Sequence, residues 1–264
     1  MITDLLHIKG FSYHGFSSGL KEDHQLDLVI IHSDHPSEAA CLVKKIKNSE
    51  PLEIVERQFE NHKIQTVVIN SSNSNTNTGE LGTQSVHKEI QRAALTFQAN
   101  EAHVAALNTG AIKENFPITE VLNGISFAMG QLKSTSESSD TTARALADDG
   151  ISIKGYSAQM MLDKEVIRFG AIAQHITNQK IPIGTIVKVI LTDLNIEGQI
   201  LQDILNDIAF NDDSTQKKSN VNEVMMILAS SKAKHKKITQ KTGDIFDQAS
   251  AKIRELYHML LYHT

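Results

Sequence analysis

The sequence lacks cysteine pairs, an excess of positive charge and long apolar runs, and each absence excludes a class of protein. Cys41 is the single cysteine, so an internal disulfide framework and a cysteine-rich zinc site are excluded, and a reducing compartment fits. Lys and Arg number 26 against 31 Asp and Glu, which argues against a general nucleic-acid binder. Because the longest apolar runs span only a few residues, and a bilayer requires about 20, no membrane partner is expected.

Familiar targeting, metal and catalytic motifs are missing as well. The N-terminus, MITDLLHIKG, does not show a basic start, an apolar core and a small-residue cleavage site in that order, so we expect no secretory signal and a cytoplasmic location. The 12 histidines are scattered without a His-Glu-x-x-His motif, so no metal site is expected. Without a Gly-x-Ser-x-Gly elbow, a Walker loop or a Gly-x-Gly-x-x-Gly fingerprint, any enzymatic chemistry must use a less common arrangement.

Short apolar runs alternate with segments of helical period, which predicts a domain of mixed helices and strands. With 264 residues, 40% of them hydrophobic and 22% charged, the chain can bury a real core in one large or two small domains. The strand-length runs are residues 27–31, 65–69, 103–107, 166–173, 186–191 and 224–228. The helical periods cover residues 83–99, 196–208 and 244–261. Their irregular order leaves α/β and α+β architectures open.

Two polar stretches are predicted to be loops from their composition. Residues 70–79 (NSSNSNTNTG) consist almost entirely of Ser, Asn and Thr, which is typical of a solvated loop between a strand and a helix. Residues 134–142 (STSESSDTT) have a similar composition and favour a loop or linker.

Thr185 lies at the start of an apolar run, directly after Pro182 and Gly184. If the chain were cut before Thr185, the new α-amine would lie beside the hydroxyl of the same residue. With a reference pKa of about 7.7–8.0, that amine could act as the general base that activates the hydroxyl. On these residues alone, a strand that begins after a turn is the simpler interpretation.

Five segments follow one another in register along the chain. They are residues 10–21 (GFSYHGFSSGLK), 70–79, 108–112 (NTGAI), 138–144 (SSDTTAR) and 169–174 (FGAIAQ). Together they resemble the glutamate N-acetyltransferase, or ornithine acetyltransferase, family of arginine biosynthesis bifunctional proteins. The stretch 70–79 is similar to that family's Asn-Ser-Gly-Asn-Ala-Asn-Ala-Cys-Thr-Gly loop and keeps Asn70, Ser71, Asn73, Asn75, Thr78 and Gly79.

The resemblance implies a catalytic site that the chain creates by cutting itself. Thr185 would be the nucleophile, released by cleavage of the bond between Gly184 and Thr185. By the match to the family's Ser-Thr-Gly-Val-Ile segment, the Thr109 hydroxyl and the Gly110 N–H would form the oxyanion hole. Acyl transfer passes through a tetrahedral oxyanion, and donors aimed at it are typically the largest single catalytic contribution.

The same resemblance implies substrate contacts from Ser138, Arg144 and Gln174. Ser138 keeps a hydroxyl and Arg144 keeps a positive charge where the family has Thr-Thr-Asp-Thr followed by a lysine. Gln174 stands where the family has a substrate-contacting lysine, eleven residues before the nucleophile. One cation that would hold a carboxylate is therefore replaced by an amide.

Other positions depart from the family pattern. Ser72 replaces a glycine in the polar loop, so a turn that relies on positive φ is expected to change. Gly184 replaces an alanine, which an N-to-O acyl shift should tolerate. Residues 216–221 (QKKSNV) replace Asp-Gly-Asp-Thr-Ser-Thr, and the family continues past the position of Thr264 with further substrate contacts. These departures imply a shortened and altered site.

The resemblance implies an α+β fold, an α-β-β-α sandwich that lacks the family's C-terminal segment. Residues 1–184 would form an α-chain-like segment, and residues 185–264 a truncated β-chain-like segment that begins at the nucleophile. The activity implied is transfer of an acetyl group from N-acetylornithine to glutamate through acetyl-threonine, without a cofactor. Exposed sheet edges could be covered by a second copy of the chain, forming a homo-oligomer.

Two alternative functions stay open. A degenerate family member would fold but would act as a binding or interaction module, with an uncut chain. An amidase or aminopeptidase on a related self-cleaving scaffold would use water as the acceptor in place of glutamate. Neither the cut nor the acyl donor can be read from the residues.

Overall fold

The described part of the chain, in a computed structural model, contains nine strands and six α-helices. It comprises residue 5 and residues 7–113, 115–210 and 220–262, so positions 216–219 of the altered segment lie outside it. The strands are β1 (Phe11–Phe16), β2 (Leu28–Lys44), β3 (Lys63–Asn70), β4 (Val104–Asn108), β5 (Gly110–Ala111), β6 (Ile151–Leu162), β7 (Glu165–Ile176), β8 (Ile183–Thr192) and β9 (Asn222–Ala229). The helices are α1 (Glu50–Phe59), α2 (Gly79–Phe97), α3 (Ile118–Phe127), α4 (Ser136–Leu146), α5 (Gly198–Phe210) and α6 (Asp244–Tyr262). Within these ranges no helix has the length and apolarity needed to cross a bilayer.

The nine strands form one mixed hydrogen-bonded network. The main order is β4-β3-β2-β9-β8-β7-β6, while β1 pairs with β2 and the short β5 pairs with β8. The long strand β2 is interrupted by an irregularity between His32 and Ser37. Its first half pairs with β1 and its second half with β9, so β2 connects the two halves of the network.

Three apolar clusters show that this network is folded into two β layers. The central cluster brings Val29 and Ile31 of β2 together with Val187 and Val189 of β8, so strand faces from both halves pack on each other. Helices α2 and α3 cover the outer face of β2, β3 and β4, and helices α5 and α6 cover the outer face of β7, β8 and β9. The arrangement is the α-β-β-α sandwich that the resemblance implies, and the α+β prediction is confirmed.

The apolar pattern located the interior strands and the long helices correctly. Four of the six predicted strand runs lie within β3, β7, β8 and β9, and the runs 27–31 and 103–107 begin one residue before β2 and β4; the three predicted helices correspond to α2, α5 and α6. The prediction of a loop at residues 134–142 is wrong, because α4 begins there. Thr135 caps that helix by accepting a hydrogen bond from the Ser138 N–H, so these Ser and Thr residues mark a helix start.

The polar loop at residues 70–79 is buried, although its composition predicted a solvated loop. Asn73, Ser74 and Asn75 are at most 2% exposed. Their neighbours satisfy the buried polar groups internally, as when the Asn70 side-chain amide donates to two carbonyls of the loop. The turn that was expected to change is kept, because Ser72 adopts φ +77°, a left-handed conformation that is costly for serine.

A buried carboxylate fixes the turn that leads into β2. Asp27 is fully buried, and its two oxygens accept hydrogen bonds from the backbone N–H groups of residues 18–21 at 2.7–3.2 Å. The Ser18 hydroxyl donates to the same carboxylate at 2.8 Å. Hydrogen bonds to a charged acceptor are stronger than neutral ones, so this turn is firmly held.

We expect the substitution Asp27→Asn to lower the free energy of unfolding by about 1.5–3 kcal/mol, because an amide replaces an oxygen that accepts N–H donors. Chemical denaturation of the full chain measures the change. Asp23→Asn is the matched control, since Asp23 is exposed and its φ of +53° is one that asparagine tolerates. Equal unfolding free energies for the two variants would contradict the role of Asp27.

Candidate active site

Thr185 lies inside β8, enclosed between two neighbouring strands. It is opposite Gly110 of β5 on one side and Asn222 of β9 on the other. It is completely buried, and its Oγ1 makes no hydrogen bond to any described residue. Side chains alternate along a strand, so Thr185 shares a face with Val187 and Val189, which belong to the central cluster. A buried hydroxyl without a partner is rare in folded proteins and calls for a functional explanation.

Thr109 and Gly110 follow directly on β4 and turn toward β8. The Thr109 N–H and the Thr109 hydroxyl both donate to the Asn70 carbonyl at 2.9 Å. Gly110 has φ +105°, a conformation that favours glycine, and it forms the register pair with Thr185. The two residues named for the oxyanion hole thus lie next to the residue named as the nucleophile.

Gln174 connects the Thr109 turn to β8, the strand that carries Thr185. Its amide nitrogen donates to Thr109 Oγ1 at 3.0 Å and to the Leu146 carbonyl at 2.8 Å. Its amide oxygen accepts from the Val187 N–H at 3.0 Å. Because both polar atoms of this fully buried side chain are engaged within the protein, the geometry favours a positioning contact over the carboxylate contact that the family lysine implies.

Gly184 is enclosed by two hydroxyl side chains of the polar loop. A Cβ atom at this position would lie 2.1 Å from Ser74 Oγ and 2.7 Å from Thr76 Oγ1, distances that real Cβ contacts do not show. The family loop quoted above has alanine at the positions of both residues. This chain has larger side chains than the family at positions 74 and 76 and a smaller residue at position 184. The volume lost at Gly184 is therefore occupied by Ser74 and Thr76, and the three departures compensate one another.

The segment after β2 holds the start of β8 and β9 in place. The Lys47 ammonium donates to the Ile183 carbonyl at 2.7 Å, one residue before Gly184. The backbone N–H groups of Ile46 and Lys47 both donate to the Asn222 side-chain oxygen, at 2.8 and 2.7 Å. Burial lowers the pKa of Lys47 below its ordinary value.

A cavity of about 780 Å³ shares two lining residues with the surroundings of Gly110. Asp148 and Ser72 line it and also lie against Gly110, where an added Cβ would meet Ser72 N at 2.6 Å and Asp148 Oδ2 at 3.1 Å. Lys113 reaches from the rim to donate to Ser72 Oγ at 3.0 Å. The lining carries charges of both signs, from Lys21, Lys113, Arg144, Glu22, Asp148 and Asp149.

Lys21 fixes the wall of this cavity. Its ammonium donates to the carbonyls of Leu26, Ala145 and Ala147, so all three of its protons are directed at the backbone, two of them at the end of α4. Burial lowers the pKa of Lys21, and the nearby Asp148 carboxylate opposes that shift. Lys21 thereby holds the turn on which Asp148 lies, and it is not available as a ligand for a substrate.

Ser138 and Arg144 are placed apart from the Thr109, Gly110 and Thr185 group. Ser138 is buried on α4, and its hydroxyl lies 3.0 Å from Thr135 Oγ1 and 3.4 Å from His14 Nδ1. Arg144 lies on the same helix, exposed at the rim of the cavity and paired with Asp140 at 3.6 Å. Their proposed contacts with a substrate stay predictions.

Asp148 and Lys113 are the cavity residues that sequence reasoning missed. Asp148 lies two residues after the end of α4, in an Asp-Asp-Gly turn, and Lys113 lies three residues after Gly110. The Asp-Asp-Gly sequence at residues 148–150 marks the turn after α4. It could have been recognised as such only if residues 134–142 had been identified as the start of a helix. In the described part of the chain, no three His, Cys, Asp or Glu side chains are grouped as ligands for a metal ion.

We expect Gly184→Ala to destabilise the chain by about 1–3 kcal/mol, because the added methyl group must displace Ser74 and Thr76. The same substitution in a Ser74→Ala, Thr76→Ala background should cost much less. A double-mutant cycle of thermal or chemical unfolding measures the coupling between the two sites, expected at about 0.5–3 kcal/mol. Additive effects would show that the three residues do not form a steric unit.

Comparisons with known proteins relate the whole chain to one family. The model of the ArgJ family matches residues 12–261. A curated relative, arginine biosynthesis bifunctional protein ArgJ of Oceanobacillus iheyensis, is 28% identical over 236 residues, which cover 88% of this chain and 57% of the relative. This chain therefore spans less than two thirds of the length of that relative.

Solved structures agree with this relationship. Arginine biosynthesis bifunctional protein ArgJ of Bacillus halodurans superposes with a TM-score of 0.58 at 26% identity, over 63% of this chain and 87% of that chain. Ornithine acetyltransferase of Mycobacterium tuberculosis, solved with ornithine, has a TM-score of 0.51 at 20% identity over 69% of this chain and 89% of that chain, a likeness that shows the fold alone. Since the family model matches nearly the entire sequence, the chain belongs to the ArgJ family.

Proposed function

We propose that this chain transfers an acetyl group from N-acetylornithine to glutamate, with Thr185 as the nucleophile after self-cleavage between Gly184 and Thr185. The observation that carries the proposal is the buried, unpartnered Thr185 hydroxyl opposite Gly110. Membership of the ArgJ family supports it. In this view residues 1–184 and 185–264 are the two segments of the mature protein.

The chemistry requires one amide to be exchanged for another. Thr185 Oγ attacks the acetyl carbonyl, the new C–O bond forms, and the proton passes to the free α-amine of Thr185 and then to the departing amine of ornithine. The C–N bond of N-acetylornithine breaks as ornithine leaves with that proton. The amine of glutamate next attacks the acetyl ester, a new C–N bond forms, the C–O bond breaks, and the proton lost by the glutamate amine passes through the α-amine of Thr185 back to Thr185 Oγ. Gly110 and Thr109 stabilise the oxyanion in both steps, and for this the Thr109 hydroxyl must leave the Asn70 carbonyl that it bonds in the uncut chain.

The cavity beside Gly110 is the proposed place of the amino-acid substrates. Its lining includes the Lys113 ammonium and the Asp148 carboxylate, charges that suit a carboxylate and an amine in the same ligand. Ser72 and Asp148 of this lining also lie against Gly110, and Gly110 in turn pairs with Thr185.

The state of the purified chain tests the nucleophile. Intact-mass measurement should show two fragments, residues 1–184 and 185–264, in the wild-type protein and a single uncut chain in the Thr185→Ala variant. Thr185→Ser keeps a hydroxyl and should be cut. Acetyl transfer from N-acetylornithine to glutamate should fall by at least about 10³-fold in Thr185→Ala.

Two results would contradict this proposal. An uncut, inactive wild-type chain that binds the substrates would favour the non-catalytic alternative. Release of acetate without glutamate would favour a hydrolase that uses water as the acceptor.

Substitutions in the cavity test where the substrates bind. We expect Asp148→Asn to raise the KM for N-acetylornithine by about 10- to 100-fold, because a charge-assisted hydrogen bond is lost. Steady-state kinetics measure this effect. Asp163→Asn, in the turn between β6 and β7, is the control and should leave KM unchanged. An unchanged KM in Asp148→Asn would place the substrates elsewhere, without affecting the assignment of Thr185.

A further inference from the structure

A buried carboxyl group lies next to the Thr109 turn without a cation to balance it. Glu89, on α2, is completely buried. Its two oxygens lie 3.0 and 3.2 Å from the Asn108 side-chain amide nitrogen, which donates to them. No ion pair to Glu89 occurs among the residues that the structure describes.

Asn108 links Glu89 to the polar loop at residues 70–79, and through that loop to Thr109. Its amide nitrogen also donates to Asn70 Oδ1 at 2.5 Å, and its amide oxygen accepts from Asn75 Nδ2 at 3.0 Å. The carbonyl of Asn70 accepts both donors of Thr109. A continuous chain of buried hydrogen bonds therefore runs from Glu89 through Asn108 and Asn70 to Thr109.

The surroundings of Glu89 keep its carboxyl group neutral. Burial raises the pKa of Glu89 to about 8, and the hydrogen bonds from Asn108 oppose this only in part. Neither of these influences comes from a charged group. On its own helix the nearest charged side chains, Lys88 and Arg92, are exposed. The groups that complete the hydrogen-bond network around Glu89 are side-chain amides, from Asn70 and Asn75 of the polar loop and from Asn108 of β4.

We propose that Glu89 is a positioning residue whose carboxyl group, through Asn108 and Asn70, holds the backbone of the Thr109–Gly110 turn in the place opposite Thr185 that acyl transfer requires, while the Thr109 hydroxyl stays free to turn. This inference rests on the proposed function. Loss of the proton leaves a buried charge without a cation, which the amide network must rearrange to accommodate. The turn should therefore shift, and activity should fall, as the pH rises through the pKa of Glu89.

Backbone NMR of the isotope-labelled full chain tests this directly. The titration is followed in the uncut Thr185→Ala chain, which has no free α-amine beside Gly110, and there the amide signals of Thr109 and Gly110 should titrate with an apparent pKa near 8. When Glu89→Gln is added, which keeps an acceptor for Asn108 but cannot ionise, they should not titrate. When Glu80→Gln is added instead, at an exposed position of the same helix, they should titrate as in Thr185→Ala alone. Unchanged titration in Glu89→Gln would overturn the proposal.

The pH profile of acetyl transfer separates this inference from the proposed function. The wild type should lose at least half of its rate between pH 7 and about 9, and Glu89→Gln should lack that alkaline decline. Titrating amides in the Thr185→Ala chain, together with a wild-type chain that never transfers acetyl groups, would refute the proposed function while the link from Glu89 to the turn stands. If Glu89→Gln does not fold, Asn108→Ser removes the link and should also abolish the titration at Gly110; persistence there would overturn the proposal.

Discussion

The pairing of Gly110 with Thr185 is the contact on which the candidate site depends. β5 is only two residues long, yet it brings the turn after β4 against the strand that carries Thr185. A side chain at 110 would collide with Ser72 and Asp148, so glycine is required both for the backbone conformation and for the close approach. Gly110 thereby lies against Thr185 in the strand ladder and against two residues of the cavity lining.

Amides and hydroxyls surround this contact, where a more familiar enzyme site would contain charged residues. Gln174 joins Thr109 to β8, while Asn70 and Asn108 join it to the polar loop. Each buried amide atom in these bonds has a partner, so the network can be rigid without the desolvation cost of buried ions. The charged side chains near the site are those of the cavity and of Lys47, which donates to the Ile183 carbonyl before Gly184.

Much of the fold could be predicted from the sequence because interior strands and long helices carry strong apolar patterns. Val187 and Val189 are recognisable as core residues in any arrangement. The short strand β5 and the helix α4 could not be predicted, because Gly110–Ala111 has no periodicity and the start of α4 is polar. Thr185 was found only through the resemblance, since a threonine at a strand start has no distinctive local pattern. Asp148 depends on tertiary packing, in which Lys21 holds the end of α4.

The interior position of Thr185 in β8 has a consequence for folding. β8 is bonded on one side to β7, which belongs to the first segment, and on the other to β9, which belongs to the second. A break at Thr185 would leave the two pieces interlocked through these ladders, as one body without a covalent link. Once unfolded, such a protein could be re-formed only by a bimolecular encounter, so its recovery would depend on concentration, whereas the uncut chain assembles alone.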